Sequence, residues 1–219
     1  MPKSKAVFIC SECAHETSKW YGQCPNCGAW NTMSEEIVFA QSSTSAQKKT
    51  SSAIKAVNLI DVRTDAEQRY KTGSPELDRV LGGGLVKGSV VLLGGEPGIG
   101  KSTILLQTSD YLGAELNVLY VAGEESVSQI KLRANRLNVS TDKLFIINET
   151  NTAAVSEYIE TVKPDVVIVD SIQTMSLPDI ASTPGSITQV RGSASCLQRT
   201  AKSLNIPIIL VGHVNKDGN

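Results

Sequence analysis

The chain has 219 residues, 41% of them hydrophobic, with 21 Lys and Arg against 22 Asp and Glu for a formal net charge of -1. That length suits one substantial core with a small appendage, and no apolar run approaches the ~20 residues of a membrane span. The overall charge neither demands nor excludes nucleic acid, because such binding depends on local patches.

The first residues carry a basic flank, a brief apolar stretch and no small-residue cleavage site, unlike a secretory signal, so a cytoplasmic location without membrane contact is expected. Four of the five cysteines follow as two knuckles, Cys10-x-x-Cys13 and Cys24-x-x-Cys27. Four thiolates so spaced close a tetrahedron around Zn²⁺. Two disulfides, disfavoured in a reducing cytoplasm, and an iron–sulfur cluster are the competing readings. With four protein ligands such a site is structural, and a segment this short draws most of its folding energy from the metal. Trp20, Tyr21 and Trp30 are expected to pack over the metal site, with stacking on a nucleobase as the alternative. His15 is expected in a solvated loop.

Residues 1–33 are therefore read as a zinc ribbon. Residues 34–55, rich in Ser, Thr, Gln and Ala, have linker composition. The remainder, 56–219, is read as a second domain, opening on a short strand or edge segment over 56–62. A helix is expected after Ser74 as N-cap with Pro75 at its first position, stopping at Gly82.

Val90 to Gly94 reads as a strand buried on both faces of a parallel sheet. It leads into Gly95-Glu96-Pro97-Gly98-Ile99-Gly100-Lys101-Ser102, the G-x-x-x-x-G-K-[ST] pattern of a phosphate-binding loop, with Thr103 next and a helix over 101–112. In this pattern backbone N–H groups cradle the phosphates of ATP, Lys101 reaches the β/γ-phosphates, and the Ser102 hydroxyl holds Mg²⁺. Downstream, strands over 117–123, 143–147, 165–171 and 207–214 alternate with helices over 126–137, 152–162 and 187–204. That alternation predicts an α/β fold, a mostly parallel sheet covered on both faces. Cys196, on the last helix, reads as a buried small hydrophobe.

Two of these strands end in acids. Val166 to Asp170 is an apolar strand whose Asp170 is placed to hold Mg²⁺, and Val118 to Ala122 runs into Glu124 and Glu125. Glu124 is the preferred general base, with Glu125 the alternative and helix opening its other use. His213 on the final strand is either a γ-phosphate sensor or a structural imidazole.

The segment Thr72 to Asp78 with Leu81-Gly82-Gly83-Gly84, then Gly95 to Thr103, then Gly123-Glu124-Glu125-Ser126, resembles the RecA-like ATPase family. The cysteine ribbon in front makes it similar to the bacterial DNA-repair members of that family. The resemblance covers essentially the whole chain. It implies a RecA-like core, C-terminally truncated, since those members continue into a further sequence motif and a domain similar to the Lon protease. It also implies a DNA-dependent ATPase that acts on recombination intermediates, binding single-stranded or branched DNA and promoting strand exchange or branch migration, as a homo-oligomer, a hexamer at full length. Catalytic residues are then Lys101, Glu124 and Asp170. In RecA-like proteins the loops leaving the later strands face DNA, which singles out Ser176 to Gln189 and Lys216. Arg191, Arg199 and Lys202 are expected to form a solvated face, with phosphate contact as the alternative. The rival functional class is a nucleotide-gated module whose ribbon docks a recombinase or replicative helicase, with little hydrolysis.

Overall fold

A computed structural model describes residues 4–10, 12–13, 15–39, 58–61, 69–180 and 182–213. The chain divides into two compact units, Met1–Glu67 and Gln68–Asn219.

In the first unit, β1 (Ser4–Cys10), β2 (Glu16–Thr17) and β3 (Met33–Phe39) form an antiparallel sheet in the order β2-β1-β3. Cys10 lies opposite Met33 and Ser4 opposite Phe39. Its core is small: Cys10, Cys24 and Met33 are buried together, with Phe8 and Cys13 packed against them. β3 carries the ribbon to Phe39, six residues beyond the boundary expected at 33, because the backbone of 34–39 completes a ladder with β1. The remaining linker residues, 40–55, lie outside the described residues. Within the segment expected as a strand over 56–62, the described residues instead form a single 3-10 turn, Leu59–Asp61. Asn58 Oδ1 accepts the Ile60 N–H there at 3.2 Å, a local acceptor that competes with a strand ladder.

The second unit opens on β4 (Arg69–Tyr70), α1 (Pro75–Val80) and β5 (Leu85–Val86). Ser74 caps α1 by accepting the Leu77 N–H, with Pro75 at the first turn, as the sequence predicts. There follow β6 (Val90–Gly95), α2 (Lys101–Leu112), β7 (Val118–Ala122), α3 (Val127–Arg136), β8 (Leu144–Asn148), α4 (Thr152–Val162), β9 (Val166–Asp170), α5 (Ile187–Leu204) and β10 (Ile208–His213). The five long strands form a parallel sheet in the order β6-β10-β9-β7-β8. The α/β architecture is thus the expected one.

Strand alternation sorts the sheet into two faces. Val118, Tyr120, Ala122, Val166, Ile168, Ile209 and Val211 pack with Leu105 and Leu106 of α2 and Ile130 of α3. Leu119, Val121, Val167, Val169, Ile208 and Leu210 pack with Val155 and Ile159 of α4 and Leu197 and Ala201 of α5. This period of two aims Asp170 and His213 at the side of the sheet that carries the phosphate-loop helix.

One strand departs from expectation. β6 stands at the end of the strand order rather than inside it, and Leu92 is 65% exposed. Val91 and Leu93 still pack against the α2 side. An apolar run marks a strand but does not report how many neighbours it has.

Candidate nucleotide site and metal centre

The four ribbon cysteines converge. Cys10 Sγ lies 3.7 Å from Cys27 Sγ and Cys13 Sγ 3.6 Å from Cys24 Sγ, and all four sulfurs fall within 4.8 Å of one another. Tetrahedral Zn–S bonds of ~2.3 Å require sulfurs about 3.8 Å apart, so the donor set fits a closed four-thiolate site. These separations match thiolates around one metal and exceed the ~2.05 Å of a disulfide bond, which counts against the disulfide reading. Burial pushes the Cys10 thiol up, but the Thr32 hydroxyl, 3.2 Å away, and the Cys13 and Glu12 amides outweigh it and bring it down to about 6. The Ala29 amide lowers Cys27, yet desolvation and the three neighbouring sulfurs push it up to about 12. Four thiols packed this closely ionise together only around a cation. The aromatic residues do not cover this centre as expected: Trp20 is 58% exposed, Trp30 70% and Tyr21 46%. Cys10, Cys24, Met33, Phe8 and Cys13 fill the space instead. His15 is partly buried.

The phosphate loop runs from the end of β6 into α2. Gly98 and Gly100 adopt φ of 80° and 102°, and a Cβ built on either would meet no atom within 4 Å. Their backbone thus needs glycine while the space over it stays open, as a phosphate cradle requires. Glu96, Pro97, Gly98 and Ile99 are exposed, and α2 opens on Lys101, Ser102 and Thr103, whose first-turn N–H groups have no intrahelical partner. Lys101, only 7% exposed, folds over the loop: Nζ donates to the Gly95 carbonyl at 2.7 Å and the Glu96 carbonyl at 2.8 Å, and lies 3.2 Å from His213 Nδ1.

The strand ends complete the cleft. In the β7–β9 ladder Ala122 lies opposite Asp170, so the two acid-bearing strands end level. Ser102, Glu124, Glu125 and Asp170 line one cleft together with Tyr120, Ala122 and Ile130. Glu124 is held by the Ser171 hydroxyl and by His213 Nε2, the latter at 3.0 Å. Since the Lys101 ammonium only donates, His213 accepts at Nδ1 and carries its proton on Nε2, facing Glu124. Gln173 Nε2 donates to the His213 carbonyl at 3.0 Å. Glu125 is engaged otherwise, in an ion pair with Arg133 of α3. A Cβ at Gly123 would stand 1.9 Å from Thr174 Oγ1, so only glycine lets the Glu124 loop lie against 171–174.

Tyr120, Ser171, Gln173 and Thr174 are site residues that sequence reasoning missed. Tyr120 carried a signal, a lone hydroxyl in an aliphatic strand. It is 1% exposed and donates to Asp170 Oδ2 at 2.5 Å. Burial first, then the Asp170 charge, pushes the phenol far above its ordinary range, so it stays a donor.

The remaining candidates fall outside the cleft. Gln189 is buried and clamps the segment before it, accepting the Leu177 N–H and donating to the carbonyls of Ile180 and Ser182. Arg191, Arg199 and Lys202 are exposed, as a solvated face requires. Cys196 is only partly buried, with Sγ 3.6 Å from Ser156 Oγ. Lys216 lies outside the described residues.

Comparison with known proteins agrees with both units. A family model described as an AAA domain matches residues 55–219, and one described as a rubredoxin metal-binding domain matches residues 8–35. Over its whole length the chain is 50% identical to DNA repair protein RadA of Listeria monocytogenes, covering 48% of that protein. It is 47% identical to DNA repair protein RadA of Bacillus subtilis, covering 49%, and 45% identical to that of Streptococcus pyogenes, covering 48%. The chain thus spans about half the length of these relatives. With an AAA-domain match over most of its residues and a four-cysteine ribbon before it, the chain belongs to the AAA-domain ATPase family and is a homologue of the bacterial RadA DNA repair proteins.

Proposed function

We propose that the chain is the nucleotide-hydrolysing part of a recombinational DNA-repair ATPase. The observation that carries this is the convergence of Ser102, Asp170 and Glu124 in one cleft, with Lys101 and Glu124 bridged by His213. On ATP binding, Lys101 exchanges the carbonyls of Gly95 and Glu96 for phosphate oxygens. Ser102 and Asp170 would hold Mg²⁺, which would supply positive charge to neutralise the phosphates during transfer. Glu124 takes a proton from the water whose oxygen bonds to the γ-phosphorus, as the bond to the bridging oxygen breaks and ADP leaves. His213 Nε2–H and the Ser171 hydroxyl orient Glu124, and release of His213 by Lys101 reports the phosphate to the base. The ion pair with Arg133 makes Glu125 the weaker candidate.

DNA dependence, single-stranded or branched DNA as substrate, a hexameric assembly and a cytoplasmic location are part of this reading. Its support is homology to proteins named for DNA repair; among the described residues no helix is long and apolar enough to cross a membrane. Zn²⁺ is the metal proposed for the ribbon. Steady-state ATP turnover with and without single-stranded DNA tests the proposal: stimulation by DNA is expected, and a flat response counts against it.

One observation favours a second reading, in which the ribbon docks a recombinase or replicative helicase. Trp20, Tyr21 and Trp30 lie exposed on it. Both tryptophans of the chain are these two, so a partner that covers them changes the intrinsic fluorescence, and one that leaves it unchanged does not dock there.

A further inference from the structure

Asp170 is the acid on which the cation side of the cleft depends, and a carboxylate at a strand end is free to rotate unless something fixes it. Tyr120 is placed to do so. It lies on β7 two residues before Ala122, which is the register partner of Asp170, so the phenol spans the diagonal between the strands and stays on the α2 face. The ring is packed among Leu105, Leu106, Ile130 and Ile168. Its hydroxyl donates to Asp170 Oδ2, and among the described residues Oδ1 has no hydrogen-bond partner. A phenylalanine would supply the same packing without a buried hydroxyl to satisfy, so core formation alone gives no reason for tyrosine here.

We propose that Tyr120 is a positioning residue for cation binding: its hydroxyl holds Oδ2 of Asp170 and reserves Oδ1 for the water shell of a divalent cation shared with Ser102. The inference rests on the nucleotide-site reading above. Tyr120 touches neither nucleotide nor cation and acts only through Asp170.

The test measures the affinity of the chain for a fluorescent ATP analogue across free Mg²⁺ concentrations and in excess chelator, for the parent and Tyr120→Phe. The expected result is unchanged affinity in chelator, and a rise of roughly tenfold in the Mg²⁺ needed for half-maximal tightening, the scale of one hydrogen bond to a charged group. In an Asp170→Asn background, Tyr120→Phe should then have no further effect on the Mg²⁺ requirement. An unchanged Mg²⁺ requirement in Tyr120→Phe overturns the proposal. So does an equal loss of affinity with and without Mg²⁺, which would mark a packing role. A parent that binds the analogue without any response to Mg²⁺ overturns the underlying site reading as well, and is told apart because the parent itself fails.

Discussion

His213 Nδ1 stands 3.2 Å from Lys101 Nζ while its Nε2 stands 3.0 Å from Glu124 Oε1, so one imidazole joins the phosphate loop to the proposed base. In the proposed mechanism nucleotide binding draws Lys101 toward phosphate, and this bridge is what would change. His213→Ala should leave ATP affinity within about threefold of the parent but lower kcat about tenfold, the scale of one charge-assisted hydrogen bond. Measuring Kd and kcat separately checks this, and a loss confined to Kd would assign His213 to binding instead.

Lys101→Ala removes the loop's buried cation and its bonds to the carbonyls of Gly95 and Glu96. ATP affinity should fall by roughly 10- to 100-fold, from loss of a charged hydrogen-bond donor of about 1.5–3 kcal/mol. Calorimetric titration reads it. Retention of parent affinity would place the phosphates elsewhere.

Glu125→Gln separates the two acids. Its ion pair with Arg133 is partly exposed, so replacement should cost no more than about 1 kcal/mol of stability and leave turnover within about threefold. Turnover abolished in Glu125→Gln would exchange the roles of the two glutamates.

Gly123→Ala forces a methyl group onto Thr174 Oγ1. Displacement of the 171–174 turn should cost about 1–3 kcal/mol and move Glu124, lowering kcat. Thermal unfolding and turnover measured together check it; an unchanged midpoint would show that the turn yields freely.

Metal removal should act on the ribbon alone. Chelation leaves Cys10, Cys13, Cys24 and Cys27 as crowded thiols around a very small core, so the ribbon should unfold while the second unit keeps its own transition. Elemental analysis should find one zinc per chain, and chelation should shift the emission of Trp20 and Trp30. Iron in place of zinc would reassign the site.

Much of this was legible because the informative residues are local. Two cysteine knuckles, a glycine-rich loop before Lys101, and Asp170 at the end of an aliphatic strand each carry their chemistry within a few positions, and the helix limits 101–112 and 152–162 follow from the phosphate-loop pattern and from apolar periodicity. Relations across strands were not legible. The exposure of Leu92 goes with the place of β6 at the end of the strand order among the described residues, and the exposure of Trp20 and Trp30 depends on which few side chains fill the ribbon. The hold of Tyr120 on Asp170 joins residues 50 positions apart, through a register that no local pattern encodes. Strand pairing also drew 34–39 into the ribbon, and here the apolar run Ile37-Val38-Phe39 was a local sign of the strand that the linker reading passed over.

Activation of water by Glu124 at the phosphate loop is read from the fate of radiolabelled ATP on Glu124→Gln beside the parent, with Mg²⁺ and single-stranded DNA present. The variant should bind ATP with parent affinity and release labelled phosphate at least about 100-fold more slowly, the scale of a lost general base. Equal phosphate release from Glu124→Gln and the parent would contradict it.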